Sequence, residues 1–300
     1  MLGAPTASGK SAAALQLAER FPLELVNADA MQVYQGMDIG TAKATVEERA
    51  RVPHHLIDLV TPEESFSVAD WVVRAEGVIT EVLRRGRLPL VVGGTGFYLR
   101  ALSQGLPTVP PADPAVQVEL WRELEEHGLD ALEQELAASS PQDVLRSQRN
   151  PRRLVRALEI LRRTGRSPRD FPTRQPVYRY SMAVLEPAMA VLRPRIEARC
   201  NSMFEAGLID EVEQLLARYP QQLTAMQAIG YKEVVQALAG RVSMESAREE
   251  VLSATTRYAR RQLTWFRRQQ ADIREALLAS KALRPLGSWL EGLAGSPRED

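Results

Sequence analysis

The 300-residue chain is 45% hydrophobic and 25% charged, with equal numbers of basic and acidic residues, which excludes a disordered or collagen-like protein. No apolar run approaches the roughly 18 residues that a membrane helix needs, and no secretory signal pattern is present. The single cysteine, Cys200, excludes an internal disulfide and a cysteine-rich metal site. We therefore expect a cytoplasmic protein that does not contact membranes.

The first third of the chain alternates short apolar runs with helical patterns, which predicts a parallel sheet covered by helices. Strands are predicted at Leu23–Val26, His55–Val60 and Leu88–Val92, and a helix over residues 68–85 with Ser67 as its N-cap. The glycine-containing loop of residues 3–11 would normally follow a buried strand, but only Met1 and Leu2 precede it. Either most of that strand is missing or it is unusually short, and we expect the loop to be loosened.

A cluster of four prolines over residues 106–114 breaks this pattern and predicts a domain boundary. The next segment is helical and charged, and Tyr180–Leu185 then predicts a strand that returns to the sheet. Helices are predicted over residues 192–219, 225–239 and 243–270. The predicted fold is α/β, a P-loop parallel-sheet core with an all-helical insertion. Its parts are core residues 1–114 and 180–280, the insertion 115–179 and a flexible, frayed tail 281–300.

The loop before the first helix matches the phosphate-loop pattern of a glycine, four residues and Gly-Lys-Ser/Thr, except that Ala4 replaces the first glycine. Backbone amides at a helix N-terminus form a nest that favours anions. Lys10 supplies a positive charge and the Ser11 hydroxyl suits Mg²⁺. The residues predicted to bind a diphosphate are Gly3, Ala4, Pro5, Thr6, Ala7, Ser8, Gly9, Lys10 and Ser11.

The residues beyond the next strands argue against an ATP hydrolase. Hydrolases place an acid that organises Mg²⁺ and water after the third strand, but here Gly93-Gly94-Thr95 follows Leu88–Val92. The acid comes instead from Asp29, at the end of the second strand. Because parallel strands share one carboxyl edge, the P-loop, Asp29 and Thr95 should converge there. This set suits a transfer in which diphosphate leaves and the nucleophile loses a proton.

Eight segments between residues 3 and 270 carry the motifs of one known family in order and register. They are Ala4–Ser11, Asp29–Tyr34, Met37–Lys43, Pro53–Asp58, Val92–Thr95, Pro151–Glu159, Met226–Lys232 and Thr256–Arg267. Together they resemble the tRNA dimethylallyltransferase family, also called tRNA isopentenyltransferases. The absence of the family's eukaryotic zinc module makes the chain similar to the bacterial type. Ala30 departs from the family, in which a serine commonly follows the catalytic acid.

The resemblance implies a prenyl transfer to tRNA. The exocyclic amine of the adenine on the 3′ side of the anticodon attacks the allylic carbon of dimethylallyl diphosphate and expels diphosphate. By this likeness Asp29 is the general base, Thr95 hydrogen-bonds around the amine, and the favoured tRNAs read codons that begin with U. The expected cofactor is Mg²⁺ with Ser11 as its candidate ligand, and we expect a monomer.

Further cations are candidates for holding the donor. Arg195 and Arg199 lie four residues apart on one predicted helix face, so both could reach a diphosphate. The resemblance supports donor contact there, although a solvated helix face explains the spacing equally well. Lys43 is another candidate phosphate ligand.

Charge is unevenly distributed in the predicted insertion. Residues 141–180 hold eleven arginines and three acidic residues, whereas residues 119–135 hold seven acidic residues and one arginine. A basic face with so few acids repels itself, so phosphate contact is the better interpretation, and helix 243–270 carries a second stripe. The resemblance implies that the tRNA anticodon stem-loop contacts Asp29, Ala30, Met31, Gln32, Thr95, Gln117, Arg152, Arg153, Arg156, Gln227, Lys232, Arg260, Arg261 and Arg267.

Three alternatives remain open at this point. A small-molecule P-loop kinase needs the same cradle and acid but not the arginine-rich insertion. An isopentenyltransferase that acts on free adenine nucleotides resembles the family but needs no broad RNA-binding face. An RNA-binding module with a degenerate P-loop is the non-enzymatic alternative, and the intact Lys10, Ser11 and Asp29 argue against it.

Overall fold

A parallel sheet organises the computed structural model, which describes residues 1–219 and 224–295. The first elements are β1 (Leu2–Gly3), α1 (Lys10–Ala18), β2 (Leu23–Asn27), α2 (Val46–Arg51), β3 (His54–His55), α3 (Val68–Arg84), β4 (Leu88–Gly93) and α4 (Gly96–Gln104). Then follow β5 (Leu106–Pro107), α5 (Pro114–Ser139), α6 (Pro141–Ser147), α7 (Pro151–Thr164) and β6 (Thr173–Arg174). The last are β7 (Ala183–Leu185), α8 (Met189–Glu205), α9 (Leu208–Arg218), α10 (Tyr231–Leu238), α11 (Met244–Phe266), β8 (Ile273–Glu275) and α12 (Leu283–Gly295).

The main sheet has six parallel strands in the order β3-β2-β4-β1-β7-β8. Its short β1 lies in the middle, where Leu2 pairs with Val92 on one side and Ala183 on the other. The carboxyl ends of β1, β2 and β4 therefore meet at one edge. This is the edge at which α/β proteins of this kind bind ligands.

The sequence predicted these strands better than it predicted their ends. The strand expected over His55–Val60 joins the sheet at His54–His55 and leaves it there, because Leu56 and Asp58 adopt left-handed φ angles of 63° and 56°. Its last residue, Val60, forms a separate parallel bridge with Tyr34. The strand expected over Tyr180–Leu185 is limited to β7. The predicted helix 192–219 is two helices, since Gly207 with φ 98° ends one and starts the next.

One layer of the core packs α1 and α12 against the sheet. Leu2, Leu23 and Leu90 of the strands are almost completely buried there, together with Leu286 and Leu290 of α12. The tail expected to be frayed therefore folds over residues 283–295, because its leucines recur at helical spacing and cover the sheet. Residues 296–300 of that predicted tail lie outside the described residues.

Residues Gln104–Pro176 form a compact unit of their own, and Met1–Ser103 with Val177–Asp300 form the other. The insertion had been predicted over residues 115–179. Leucines of α5 and α7 build its own core, and an antiparallel pairing of β5 with β6 that the sequence did not predict also lies in it. Within the described ranges, no helix is long and apolar enough to cross a membrane.

Candidate active site

The loop between β1 and α1 forms a nest for an anion. Ala7 and Gly9 adopt left-handed φ angles of 60° and 84°, and alternation of such residues turns successive amides inward. The amides of Gly9, Lys10 and Ser11 open α1 and have no acceptor within that helix. The helix dipole adds to their preference for negative charge. The predicted phosphate loop therefore has the geometry of an anion cradle.

Three cationic side chains surround this cradle. Lys10 Nζ donates to the Pro5 carbonyl at 3.5 Å, Arg195 Nε donates to the Ala7 carbonyl at 2.8 Å, and the Arg199 guanidinium is half-buried beside them. None of these cations has an ion-pair partner within residues 1–219 and 224–295. Burial, with the nearby charge of Arg199, lowers the pKa of Lys10 to about 8. Burial likewise lowers the pKa of Arg199, so a bound anion would stabilise the charged form of both cations.

A cavity of about 550 Å³ adjoins the cradle, between α1, the end of β2 and α8. Its lining includes Lys10, Ser11, Gln32, Arg195 and Arg199. A volume of this size accommodates a small organic ligand. The predicted diphosphate ligands from the P-loop and from α8 are thus brought together at one cavity, although they are nearly two hundred residues apart in sequence.

Lys43 also lines this cavity but has other partners. Its Nζ donates to the Tyr34 carbonyl at 2.8 Å, to Asp38 at 2.5 Å and to Asp58 at 2.6 Å. An ammonium group has three protons, and all three already have acceptors. The structure therefore gives Lys43 a structural role and does not support the prediction that it binds phosphate.

Asp29 follows β2 at the carboxyl edge of the sheet. Its Oδ1 accepts a hydrogen bond from the Met31 amide at 2.9 Å, and its own amide donates to Asn27 Oδ1 at 3.2 Å. The negative charge of the Asp29 carboxylate raises the pKa values of Lys10 and Arg199 against the effect of burial. The carboxylate is therefore within electrostatic range of the cradle, as the convergence of strand ends predicted.

Thr95 follows β4 and is tied to the segment that carries Asp29. Its Oγ1 accepts a hydrogen bond from the Ala30 amide at 3.0 Å, and its amide donates to the Ala28 carbonyl at 3.2 Å. Gly93 permits this approach, because a Cβ there would lie 2.1 Å from the Ala28 oxygen. Tyr258 of α11 lies beside the Thr95 side chain, which helps to lower the pKa of Tyr258 against the effect of burial. The two predicted catalytic residues thus belong to one hydrogen-bonded unit.

Gln262 of α11 is a site residue whose role the sequence does not predict. Its Oε1 accepts from the Thr6 amide at 2.8 Å and its Nε2 donates to the Gly94 carbonyl at 2.9 Å. This buried amide therefore joins the P-loop to the loop before Thr95. The one sequence signal is a polar side chain on the apolar face of a helix, next to Leu263.

Aromatic residues of α11 cover the same loops. A Cβ at Gly3 would lie 2.4 Å from the Phe266 ring, and one at Gly96 would lie 2.4 Å from the Trp265 ring. Trp265 also meets Phe266 edge to face. These contacts make Trp265 a packing residue, and they explain why position 3 requires a glycine.

The predicted tRNA-contacting residues of the sheet-containing unit differ in their exposure. Gln32 Nε2 donates to the Thr41 and Ala42 carbonyls at 3.1 and 3.3 Å, so its amide is fixed. Gln227 and Arg260 are exposed. The other three basic residues of this set have partners: Lys232 pairs with Glu233, Arg261 lies over the Tyr258 ring and Arg267 pairs with Glu186.

In the insertion, Glu159 is a fully buried carboxylate that bonds to two of the predicted tRNA-contacting residues. It accepts hydrogen bonds from Gln117 Nε2 at 2.8 Å and the Asp113 amide at 2.6 Å, and it forms ion pairs with Arg156 and Arg163. Gln117 and Arg156 are therefore held from behind by an internal anion. This linkage was not visible in the sequence.

The interpretation that the arginine-rich face has too few acids to be neutralised is wrong for part of the face. Arg149 pairs with Asp130 and Glu133 of α5, and Arg162 pairs with Glu123 and Glu135. The acidic residues of 119–135 are distant from these arginines in the sequence, but the fold packs α5 against α7. Arg152 and Arg153 are exposed and have no acidic partner among the described residues.

The fold and this edge of the sheet define a P-loop α/β protein with an anion cradle within electrostatic range of a carboxylate. A family model described as IPP transferase matches residues 32–269. The chain is 56% identical to the tRNA dimethylallyltransferase of Thermus thermophilus over 273 residues, 91% of this chain and 90% of the relative. It is 47% identical to that of Deinococcus radiodurans over 289 residues, 95% and 94% of the two chains. The chain belongs to the IPP transferase family, as the motifs predicted.

Solved structures agree with this assignment. The full-length tRNA isopentenylpyrophosphate transferase from Bacillus halodurans is similar with a TM-score of 0.70 and 39% identity, over 98% of this chain and 95% of that one. A eukaryotic dimethylallyltransferase acting on tRNA is similar with a TM-score of 0.79 and 25% identity, over 100% and 80%. The expected α/β fold and the prenyl transferase class are thereby confirmed.

Proposed function

We propose that this protein transfers a dimethylallyl group from dimethylallyl diphosphate to the exocyclic amine of the adenine 3′ to the anticodon, in tRNAs that read codons beginning with U. The observation that carries the proposal is the convergence of an anion cradle at Lys10 with the Asp29 carboxylate, in a chain of the IPP transferase family. Relatives named tRNA dimethylallyltransferase support the choice of substrates.

The diphosphate of the donor lies in the cradle, where the residues 3–11 loop, Lys10, Arg195 and Arg199 contact its oxygens. The adenine amine attacks the allylic carbon of the donor as the bond between that carbon and the diphosphate oxygen breaks. The electron pair leaves with the diphosphate, whose growing charge the cradle stabilises. Positioning of the two substrates supplies much of the remaining rate enhancement.

Asp29 accepts the proton of the attacking amine, and Thr95 orients that amine. An adenine amine is a weak nucleophile because its lone pair is delocalised into the ring, so the proton must leave as the new bond forms. The Ala30 amide donates to the Thr95 hydroxyl oxygen at 3.0 Å and fixes its position. Thr95 is therefore preorganised for this contact before the adenine enters the site.

Mg²⁺ fits this site as an ion that accompanies the diphosphate. No cluster of three or more histidine, cysteine or acidic side chains suited to a metal occurs within the described ranges. Mg²⁺ commonly keeps several waters and binds through substrate phosphates. The exposed Ser11 hydroxyl at the start of α1 would be its protein ligand, and the ion would offset charge on the leaving diphosphate.

The tRNA anticodon stem-loop contacts exposed basic side chains, among them Arg152, Arg153 and Arg260. The target adenine leaves its stack to reach Asp29, at a cost of a few kcal/mol that is smallest in a loop. Further proposed contacts are Ala30, Met31, Gln32, Gln117, Arg156, Gln227, Lys232, Arg261 and Arg267. The enzyme acts in the cytoplasm as a monomer. Its elution volume in gel filtration, with and without tRNA, measures the oligomeric state.

One assay tests this proposal. The protein is incubated with dimethylallyl diphosphate, Mg²⁺ and unmodified tRNA, and the digested tRNA is examined for a prenylated adenosine. The expected product is one prenyl group per tRNA at the adenosine 3′ to the anticodon. Prenylation of AMP but not of tRNA would instead identify an enzyme for free nucleotides, and phosphate transfer from ATP to a metabolite would identify a kinase.

A further inference from the structure

The segment 37–43, here called the 37–43 loop, forms one wall of the donor cavity but has no role in the proposed chemistry. Glu211 of α9 holds it from behind. One carboxylate oxygen, Oε2, accepts hydrogen bonds from the Asp38 amide at 3.0 Å and the Ile39 amide at 2.7 Å. The other, Oε1, accepts from the Gly40 amide at 3.2 Å. A single side chain therefore caps three successive amides of the loop.

Tyr231 of α10 completes this arrangement. Its hydroxyl donates to Glu211 Oε1 at 2.6 Å, and its ring lies so close to Gly40 that a Cβ there would be 2.4 Å from it. Charge-assisted hydrogen bonds of this kind are roughly twice as strong as neutral ones. With four donors on one carboxylate, Glu211 can occupy only one position relative to the loop.

The opposite side of the 37–43 loop faces the donor site. The Thr41 carbonyl accepts from Arg199 Nη2 at 3.4 Å and from Gln32 Nε2 at 3.1 Å. Ala42 and Lys43 line the donor cavity. Since Thr41 directly follows the three capped amides, the position of its carbonyl, and with it the direction of the Arg199 guanidinium, depends on Glu211.

We infer that Glu211 is a positioning residue for the donor, which holds the 37–43 loop so that the Thr41 carbonyl directs Arg199 at the diphosphate. Glu211 itself touches no substrate. The inference rests on the proposed function only for the identity of the donor. Its direct consequence, tighter binding of a diphosphate group, can be measured with inorganic pyrophosphate and without turnover.

The variant Glu211→Gln tests this role with almost no change of shape. A glutamine has one acceptor oxygen and one NH₂ group, so whichever way it turns, its NH₂ group meets at least one backbone N–H donor of the loop, the Gly40 amide or the Asp38 and Ile39 amides. We expect the KM for dimethylallyl diphosphate and the Kd for pyrophosphate to rise about tenfold, the loss typical of one contact to a charged group. We expect kcat at saturating donor to change less than threefold and tRNA affinity to be retained.

Two further variants keep the test decisive. Tyr231→Phe removes one donor but keeps the ring against Gly40, and we expect a smaller rise of a few-fold in both constants. Glu213→Gln on the exposed side of the same helix is the matched control and should change neither. Melting temperatures of all variants separate a change in folding from a change in the donor site.

Unchanged donor KM and unchanged pyrophosphate Kd in a folded Glu211→Gln protein would overturn the inference, and so would a fall in melting temperature without either change. If Glu211→Gln does not fold, the Tyr231→Phe result decides, and wild-type constants there would overturn it. Absence of prenyl transfer by the wild-type enzyme would count against the proposed function instead, because pyrophosphate binding is measured independently.

Discussion

At the scale of single residues, two lysines beside the cavity have opposite surroundings. Lys43 gives all of its protons to protein acceptors, whereas Lys10 has one long hydrogen bond to a carbonyl and a pKa lowered to about 8. The phosphate-loop motif predicts that Lys10 binds phosphate, and a buried ammonium without an ion-pair partner among the described residues suits that prediction. The sequence could not distinguish Lys43, since its partner Asp58 joins it only through the fold.

Replacing Asp29 with asparagine should abolish most catalysis while leaving the fold intact. The amide keeps an oxygen for the Met31 amide but cannot accept a proton from the attacking amine. Loss of a positioned base typically lowers turnover by about 10²–10⁴-fold. We expect a loss in this range in single-turnover prenylation, with tRNA affinity and melting temperature close to wild type. Turnover near the wild-type rate would show that another group takes the proton.

The lowered pKa of Lys10 predicts proton uptake when a diphosphate binds. Below pH 8 the free enzyme carries a charged Lys10, and above it the charge is lost. A bound anion raises this pKa again, so at pH 8 the half-charged lysine takes up about half a proton. Because the uncharged lysine must first take up a proton, the affinity for diphosphate falls as the pH rises above 8.

Calorimetry of pyrophosphate binding in buffers of different ionisation enthalpy measures this uptake. The control is Lys10→Met, which should show about half a proton less uptake than wild type at pH 8 and the same uptake at pH 6. Equal uptake by both proteins at pH 8 would mean that Lys10 is fully charged before the anion binds.

At the scale of elements, the sequence predicted which strand ends meet, but it did not predict which side chains join the loops that follow those strands. Parallel pairing of β1, β2 and β4 follows from their apolar runs, and it places the P-loop, Asp29 and Thr95 at one edge. These loops are joined by α11, whose Gln262 side chain bonds to the Thr6 amide and to the Gly94 carbonyl. The two partners are 256 and 168 positions away in the sequence. Helical periodicity reports which face of α11 is buried, but it does not report which backbone groups that face meets.

Gln262→Leu should destabilise the protein and impair both substrate loops. The leucine leaves the Thr6 amide and the Gly94 carbonyl buried without a partner, and each such group costs about 1–3 kcal/mol. We expect a lower free energy of unfolding in urea and a lower kcat/KM. Gln269→Leu is the control, because the side-chain NH₂ group of Gln269 donates to the Trp265 carbonyl of its own helical turn and joins no separate loops. Equal stability of the two variants would argue against this fastening role.

At the scale of the whole molecule, the sequence predicted a divided chain with a charged helical insertion, and the structure has a separate unit at Gln104–Pro176. The count of charges along the sequence could not give their pairing. Acids of α5 neutralise Arg149 and Arg162, while Arg152 and Arg153 remain exposed without an acidic partner among the residues that the structure describes. The number of arginines available to a polyanion is therefore smaller than composition indicates.

This difference predicts which arginines determine the salt dependence of tRNA binding. Each phosphate contact contributes about 0.7–0.9 to the slope of log affinity against log salt. Replacing both Arg152 and Arg153 with alanine should therefore lower the slope by about 1.5 and weaken binding at low salt. Arg162→Ala is the control, since its guanidinium is held by Glu123 and Glu135 at 2.7 Å and its loss should leave the slope unchanged. Filter binding over a series of salt concentrations gives the slopes, and a larger loss for Arg162→Ala would show that the ion pairs open to receive tRNA.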